Sequence, residues 1–246
     1  MSEPAPAPPA HAAGAVPTAR LPRVLGAFAL DLVVAVGVLL AVTFAVMMAW
    51  GAWRAFSAMP ALGGSADAAS LARAVGEPGA LVQMLAAILG MSAAALVLYF
   101  WRRPATAHQR QWSWQAARSP RTWARALGAG VLVFAGGSLA SSLISLTGAE
   151  PVPSNLALVD EAARRWPVFL VLFAVVLAPA YEELLFRRVL FGRFLDAGRP
   201  WLGVVLSSLA FALMHEVPGV SANPPLAVAM LLAVYSGMGA VFAWLY

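Results

Sequence analysis

The sequence predicts an all-α protein, a polytopic transmembrane bundle of about six helices. Hydrophobic residues make up 61% of the 246-residue chain and charged residues only 11%, whereas a soluble domain is roughly 25% charged. Several apolar runs are long enough to cross a hydrocarbon core of about 30 Å as helices, which need about 20 residues each. No run alternates apolar and polar residues as the strands of a transmembrane barrel do. The runs lie at about 24–50, 79–101, 126–147, 166–190, 201–215 and 225–246.

The first run follows a tail of different composition. Residues 1–22 are rich in Pro and Ala and lack apolar periodicity, which indicates a disordered tail. The run after Arg23 has about 27 residues, whereas the apolar core of a cleaved signal peptide has about 7–15. Asp31, about eight residues inside this helix, is the best candidate for an ion- or proton-binding group if the protein is a transporter. It could equally pair with arginines at the helix end.

The arginines predict the orientation in the membrane. All 16 basic residues are Arg, with Arg20 and Arg23 near the N-terminus, six in the 102–125 loop and four in the 187–200 region. The 51–78 and 148–165 loops hold two each, and the 216–224 loop holds none. The positive-inside rule therefore places the N-terminus, the 102–125 loop and the 187–200 turn in the cytoplasm. The arginines form no separate basic domain, so we expect no nucleic-acid partner.

The fourth run contains an unusual group of charges, in the segment AYEELLFRR at 180–188. Charged residues inside a membrane are costly and usually have a partner or a task. Glu183 and Arg187 are spaced i and i+4, so they can pair on a helix and stay charged at low dielectric. Glu182 is turned about 100° away and is free to exchange protons with a bound water. Alternatively, both glutamates lie in a solvated, cytoplasmic extension of the helix.

A histidine on the next helix is expected at the same depth. His215, in FALMHE at 211–216, is the only histidine in an apolar run, and Phe211 shares its face. If one helix ends at about Leu195, the chain turns at DAGRP, 196–200, and the next helix begins at Trp201, Glu182 lies 13 residues before Leu195 and His215 lies 14 residues after Trp201. At about 1.5 Å per residue, both are about 20 Å from the turn. A glutamate and a histidine that meet there form a water-activating or metal-binding pair.

Other protease patterns fit less well. His215 and Glu216 begin an H-E-x-x-H zinc motif, but position 219 is Gly and Pro218 interrupts the helix. Ser236 is placed like a rhomboid-type serine, yet no histidine follows it to act as base. The chain has no cysteine, which excludes disulfides, thiolate metal sites and a Cys nucleophile.

The two motifs together resemble those of the CAAX prenyl protease and bacteriocin-processing family of intramembrane proteases. EELLFR supplies two glutamates, three residues and an Arg, and FALMH supplies Phe, three residues and His. The resemblance covers about 165–246. It implies an intramembrane endopeptidase in which Glu182 and His215 activate the hydrolytic water. It further implies that the remaining motif residues support them, namely Glu183, Arg187 and Phe211.

The resemblance also bears on the substrate, the membrane and a possible metal ion. The substrate would be a membrane-associated or prenylated protein or peptide, and the protein itself would be integral to the lipid of a bacterial plasma membrane. The family is described as metalloproteases, and the sequence leaves open whether a metal takes part; if a divalent metal such as zinc binds, Glu182 and His215 are the candidate ligands. A metal-free general-base mechanism needs the same two residues. The alternatives are a non-catalytic membrane scaffold or immunity protein and, with less support, a transporter.

One family motif is missing from the sequence. The third motif is a His followed four positions later by Asn or Asp, and no His follows His215. We expect either that the sequence is truncated at Tyr246 or that the protein is a non-catalytic member. The predicted organisation is therefore a tail at 1–22, transmembrane helices with a basic loop at 23–125, and a protease-like domain at 126–246.

Overall fold

The computed structural model describes residues 20–62, 67–146, 148 and 151–246. The regular elements of these residues are all helical, and five helices are long and apolar enough to cross a membrane, namely Leu21–Leu62, Ala80–Arg102, Pro120–Ser145, Pro167–Asp196 and Pro225–Leu245. The helix Pro200–His215 is apolar but shorter. The predicted polytopic helical bundle is confirmed. The helices are α1 Leu21–Leu62, α2 Ala68–Val75, α3 Ala80–Arg102, α4 Ala107–Arg118, α5 Pro120–Ser145, α6 Leu156–Arg165, α7 Pro167–Asp196, α8 Pro200–His215 and α9 Pro225–Leu245.

The first helix is longer than the sequence predicted. It has 42 residues, about 63 Å at 1.5 Å each, and it begins at Leu21, so residues 21 and 22 are not part of a tail. Residues 1–19 lie outside the described part of the chain. At the other end, Arg54 does not stop the helix, because its guanidinium donates to the carbonyl oxygens of Ala74 at 3.1 Å and Val75 at 3.3 Å. A cation at the C-terminus of α2 is stabilised by the helix dipole.

Short helices occupy segments that were predicted as loops. The 102–125 segment contains α4, which begins with a capping box in which Thr106 and Gln109 satisfy each other's backbone N–H groups. The 148–165 segment contains α6, and Glu161 there accepts a hydrogen bond from the Ala80 backbone N–H at 3.0 Å. This carboxylate caps the start of α3, which ties the two helices together.

The main core is built around α7. Buried side chains of α1, α3, α7 and α8 form one apolar cluster, and Phe28 packs edge-on against Phe194 with ring centroids 5.2 Å apart. Asp31 is fully buried beside this cluster. Its carboxylate accepts hydrogen bonds from Arg102 at 2.5 Å and from Arg193. The alternative that Asp31 pairs with arginines is therefore confirmed, and this ion cluster joins α1, α3 and α7.

Helices α8 and α9 pack very closely at one glycine. A Cβ atom at Gly239 would lie 2.9 Å from the Cα of Ser208, which is closer than real contacts. Small residues allow this approach of two backbones, as expected for helices packed within a membrane. The approach fixes α9 against the helix that carries His215.

Helix α7 departs from regular α-helical geometry. It contains π-helical turns at Phe173–Leu177 and Glu183–Phe191. The depth estimate for Glu182 assumed a continuous α-helix, and that assumption is wrong here, because i→i+5 hydrogen bonds change both the rise and the rotation per residue. π-helical turns occur frequently at functional sites. The wider turn begins directly after Glu182.

Candidate active site

Arg187 is the central charged residue of the candidate site. It is buried, with 2% of its surface exposed. Its Nε lies 3.7 Å from the Glu183 Oε2, so the ion pair predicted from the spacing is present. The expectation of a buried pair is only half right, because the Glu183 side chain is 54% exposed. The distance also exceeds that of a hydrogen bond, so Glu183 alone does not hold the guanidinium.

Aromatic rings provide most of the surroundings of Arg187. Its Cζ atom lies 4.9 Å from the ring centroid of Phe211 on α8 and 5.1 Å from that of Phe242 on α9. Its sequence neighbour Phe186 is 5.9 Å away and packs edge-on against Phe211 at 5.2 Å. Cation–π contacts of this kind stabilise a desolvated guanidinium. The two sequence motifs therefore meet in space, through Arg187 of the first and Phe211 of the second.

His215 is held at the end of α8 by two contacts. Its Nδ1 lies 2.9 Å from the carbonyl oxygen of Phe211. A carbonyl oxygen can only accept a hydrogen bond, so Nδ1 carries the hydrogen, and Nε2 is left as the acceptor of the neutral ring. The ring also stacks on Tyr235 of α9, with centroids 4.7 Å apart and planes 29° apart. Orientation and tautomer are thus both fixed, as required of a residue that handles protons.

A large open cavity reaches His215. It has a volume of about 950 Å³, and it lies between the end of α8, the 216–224 segment and the start of α6. The segments around it are joined by Glu216, which accepts hydrogen bonds from Ser154 at 2.6 Å and from the Asn223 side-chain amide at 3.1 Å. Asn223 also binds both backbone polar groups of Val152. Glu216 therefore shapes the wall of the cavity.

The two glutamates of the first motif differ in their surroundings. Glu182 is partly buried and makes no hydrogen bond or ion pair with any residue in the described part of the chain. Glu183 faces a second cavity of about 500 Å³, shared with α4 and with Arg188, which donates to Gln109 at 2.8 Å. Glu182 is not ion-paired with His215 within 4.0 Å among the described residues. Contact between them through one water stays a prediction.

The described residues do not provide the ligand set of a usual catalytic zinc site. Such a site has three protein ligands, and the described residues contain no group of three or more His, Cys, Asp or Glu that could hold an ion.

Several contact residues were not foreseen from the sequence. Tyr235 and Phe242 are seven residues apart, hence on one face of α9, and they contact His215 and Arg187 respectively. Their spacing indicates that they share a face of α9. It does not show that this face packs against α8, because that packing depends on the close approach at Gly239. Phe186 gave no signal, because it lies between the motif residues beside the equally apolar Leu184 and Leu185.

The fold and this site define a class: a polytopic helical membrane protein in which two motif segments on successive helices meet, through Arg187 of one and Phe211 of the other. Residues 164–246 match the model of a family described as "Type II CAAX prenyl endopeptidase Rce1-like". This match confirms the resemblance inferred from the two motifs. The chain is also similar to "Membrane-embedded CAAX protease MroQ" of Staphylococcus aureus (strain USA300), with 29% identity over 110 residues. That match spans 42% of this chain and 40% of the relative. No solved structure matches the chain.

Proposed function

We propose that the protein is an intramembrane endopeptidase that hydrolyses a peptide bond of a membrane-associated or prenylated peptide or protein. The observation that carries the proposal is the contact of the two motif helices through Arg187, Phe211 and His215. Arg187 lies 4.9 Å from the Phe211 ring, and that ring lies 4.5 Å from the His215 ring. The family match over 164–246 supports the same activity.

The proposed reaction is general-base hydrolysis. Glu182, whose side chain has no partner among the described residues, takes a proton from water, while Nε2 of His215 accepts a hydrogen bond from that water and orients it. The hydroxide oxygen attacks the carbonyl carbon of the scissile bond, and the carbonyl oxygen becomes an oxyanion. Collapse of this intermediate breaks the C–N bond, and Glu182 returns the proton to the leaving amine. Arg187 does not touch the water in this mechanism; its contact with Phe211 holds the first motif against the second.

The proposal includes an orientation in the membrane. The arginine distribution favours a cytoplasmic N-terminus, and the similarity to a membrane-embedded protein of Staphylococcus aureus favours a bacterial plasma membrane. Under this orientation, the turn between α7 and α8 is cytoplasmic, and the 216–224 segment beside His215 lies on the other side.

Cleavage of a fluorogenic prenylated peptide by the purified protein, reconstituted in lipid, tests the activity. Glu182→Gln and His215→Gln should each lower the rate by about 10²–10⁴-fold, the usual contribution of a general acid–base group, and leave the melting temperature within a few degrees. Glu77→Gln and His108→Gln are matched controls, because both residues lie in exposed positions outside the site. Full activity of Glu182→Gln would reject the proposal. Absence of activity in all variants and in the wild type would favour the scaffold alternative.

A further inference from the structure

A second site lies at the opposite end of α7 from the large cavity. A cavity of about 310 Å³ is lined by Arg23 of α1, Arg103 directly after α3, and Arg193 and Asp196 at the end of α7. Its remaining lining residues are apolar, namely Val24, Ala27 and Ala197. Residues from three membrane-spanning helices thus place guanidinium groups around one small space at the end of the bundle.

The charges around this cavity do not cancel. Asp31 beneath it is shared by Arg102 and Arg193, and Asp196 pairs with Arg103 at 2.7 Å. Four arginines therefore face two carboxylates, which leaves two positive charges at any physiological pH, because Arg does not deprotonate.

Two of the donors in this region have no partner among the residues that the structure describes. Arg23 makes no side-chain hydrogen bond or ion pair with any residue that the structure describes. The Nε of Arg103 is buried and also lacks a hydrogen-bond acceptor among the described residues. An anion with several oxygens would satisfy both groups, and arginine is well suited to phosphate oxygens.

We infer that this cavity binds the phosphate headgroup of an anionic phospholipid. Basic pockets between transmembrane helices bind such headgroups. The position favours a lipid over a free phosphate ion, because Arg23 is in the first turn of a membrane-spanning helix. Leu30, three residues beyond Ala27 on α1, is 48% exposed, so the apolar surface needed by the acyl chains continues directly below the cavity.

Native mass spectrometry of the purified full chain, titrated with phosphatidylglycerol or with neutral phosphatidylcholine, tests the inference. The wild type should retain phosphatidylglycerol preferentially, and Arg23→Gln should weaken its binding roughly fivefold, the effect of one arginine near a membrane surface. Arg23→Lys should restore most of the affinity, because the charge returns. Arg103→Gln provides a second variant if Arg23→Gln folds poorly, since Asp196 is exposed enough to stay solvated.

Arg118→Gln is the matched control, because Arg118 is exposed, lies on the same predicted side of the membrane and is outside the cavity. It should bind phosphatidylglycerol as the wild type does. Equal binding by Arg23→Gln, Arg103→Gln and Arg118→Gln would overturn the inference. Displacement of the lipid by millimolar inorganic phosphate would also overturn it, because the site would then belong to a soluble anion.

Discussion

The guanidinium carbon of Arg187 lies 4.9 Å from the ring centroid of Phe211, on the neighbouring helix. These residues belong to the two separate sequence motifs, so this contact brings the motifs into one site. It also explains how an arginine that is 2% exposed is tolerated when its carboxylate partner is half exposed. The aromatic faces replace part of the water that the guanidinium lost on burial.

Substitution of Arg187 should therefore destabilise the protein more than substitution of an arginine in an exposed ion pair of the same spacing. Arg187→Ala removes cation–π contacts with two helices, and we expect it to lower the free energy of unfolding by about 2 kcal/mol or more, the value of a desolvated contact. Arg187→Lys keeps the charge but loses the planar guanidinium, so its effect should be intermediate. Thermal melting in detergent measures both.

Arg165→Ala is the control for this comparison. Arg165 and Glu161 have the same i,i+4 spacing and lie 3.5 Å apart, but the arginine side chain is 72% exposed. Such a surface pair contributes about 0–1 kcal/mol. Equal melting shifts for Arg187→Ala and Arg165→Ala would show that the aromatic contacts contribute little.

Asp31→Asn should be one of the most destabilising conservative substitutions in the chain. Asp31 is fully buried between Arg102 and Arg193, and removal of its charge leaves two arginines without a counter-ion, which costs about 3–5 kcal/mol. We expect a large drop in melting temperature and yield. Asp196→Asn is the control, because that aspartate side chain is 56% exposed and its loss should cost less than about 1 kcal/mol. If Asp31→Asn has the melting temperature of the wild type, the structural role of Asp31 is wrong. The alternative that Asp31 binds an ion or proton in a transporter would then gain support.

Hydropathy and local spacing predicted the fold class and the Glu183–Arg187 pair, since both depend on residues close in sequence. The spacing could not predict that Arg187 would be surrounded by Phe186, Phe211 and Phe242, because these contacts depend on which helix faces pack together. The π-helical turn at Glu183–Phe191 also left no signal in hydropathy. The end of α1 was missed because the apolar run was taken to end near residue 50, whereas the helix continues to Leu62 and the Arg54 side chain reaches carbonyl groups about 20 residues away in sequence.

The close approach of α8 and α9 gives a further prediction. Gly239→Ala should destabilise the protein by about 1–3 kcal/mol, as overpacked cores do, because the new Cβ would meet the Ser208 backbone at 2.9 Å. It should also lower peptidase activity, since α9 carries Tyr235 against His215. Gly237→Ala is the matched control on the same helix, with no atom within 4 Å of the added carbon. Identical melting temperatures for the two variants would contradict the tight packing.

The predicted orientation can be measured because the chain has no cysteine. Ser113→Cys in α4 should be protected from an impermeant thiol reagent in intact cells and become labelled after permeabilisation. Ala222→Cys, near the large cavity, should be labelled from outside. Both positions are exposed, so access to the thiol is comparable. External labelling of Ser113→Cys would reverse the proposed topology.

Proximity of Glu182 and His215 is the prediction on which the proposed mechanism depends most. If one water links them, their side chains lie roughly 3–6 Å apart, although the π-helical turn after Glu182 changes the simple depth estimate. A protein with both Glu182→Cys and His215→Cys should then be cross-linked rapidly by a short bifunctional thiol reagent, measured by mass spectrometry after proteolysis. Glu182→Cys with Leu213→Cys is the control, since Leu213 is turned about 200° from His215 on α8. Equal or faster cross-linking of the control would show that Glu182 faces away from His215, and the shared catalytic water would then be wrong.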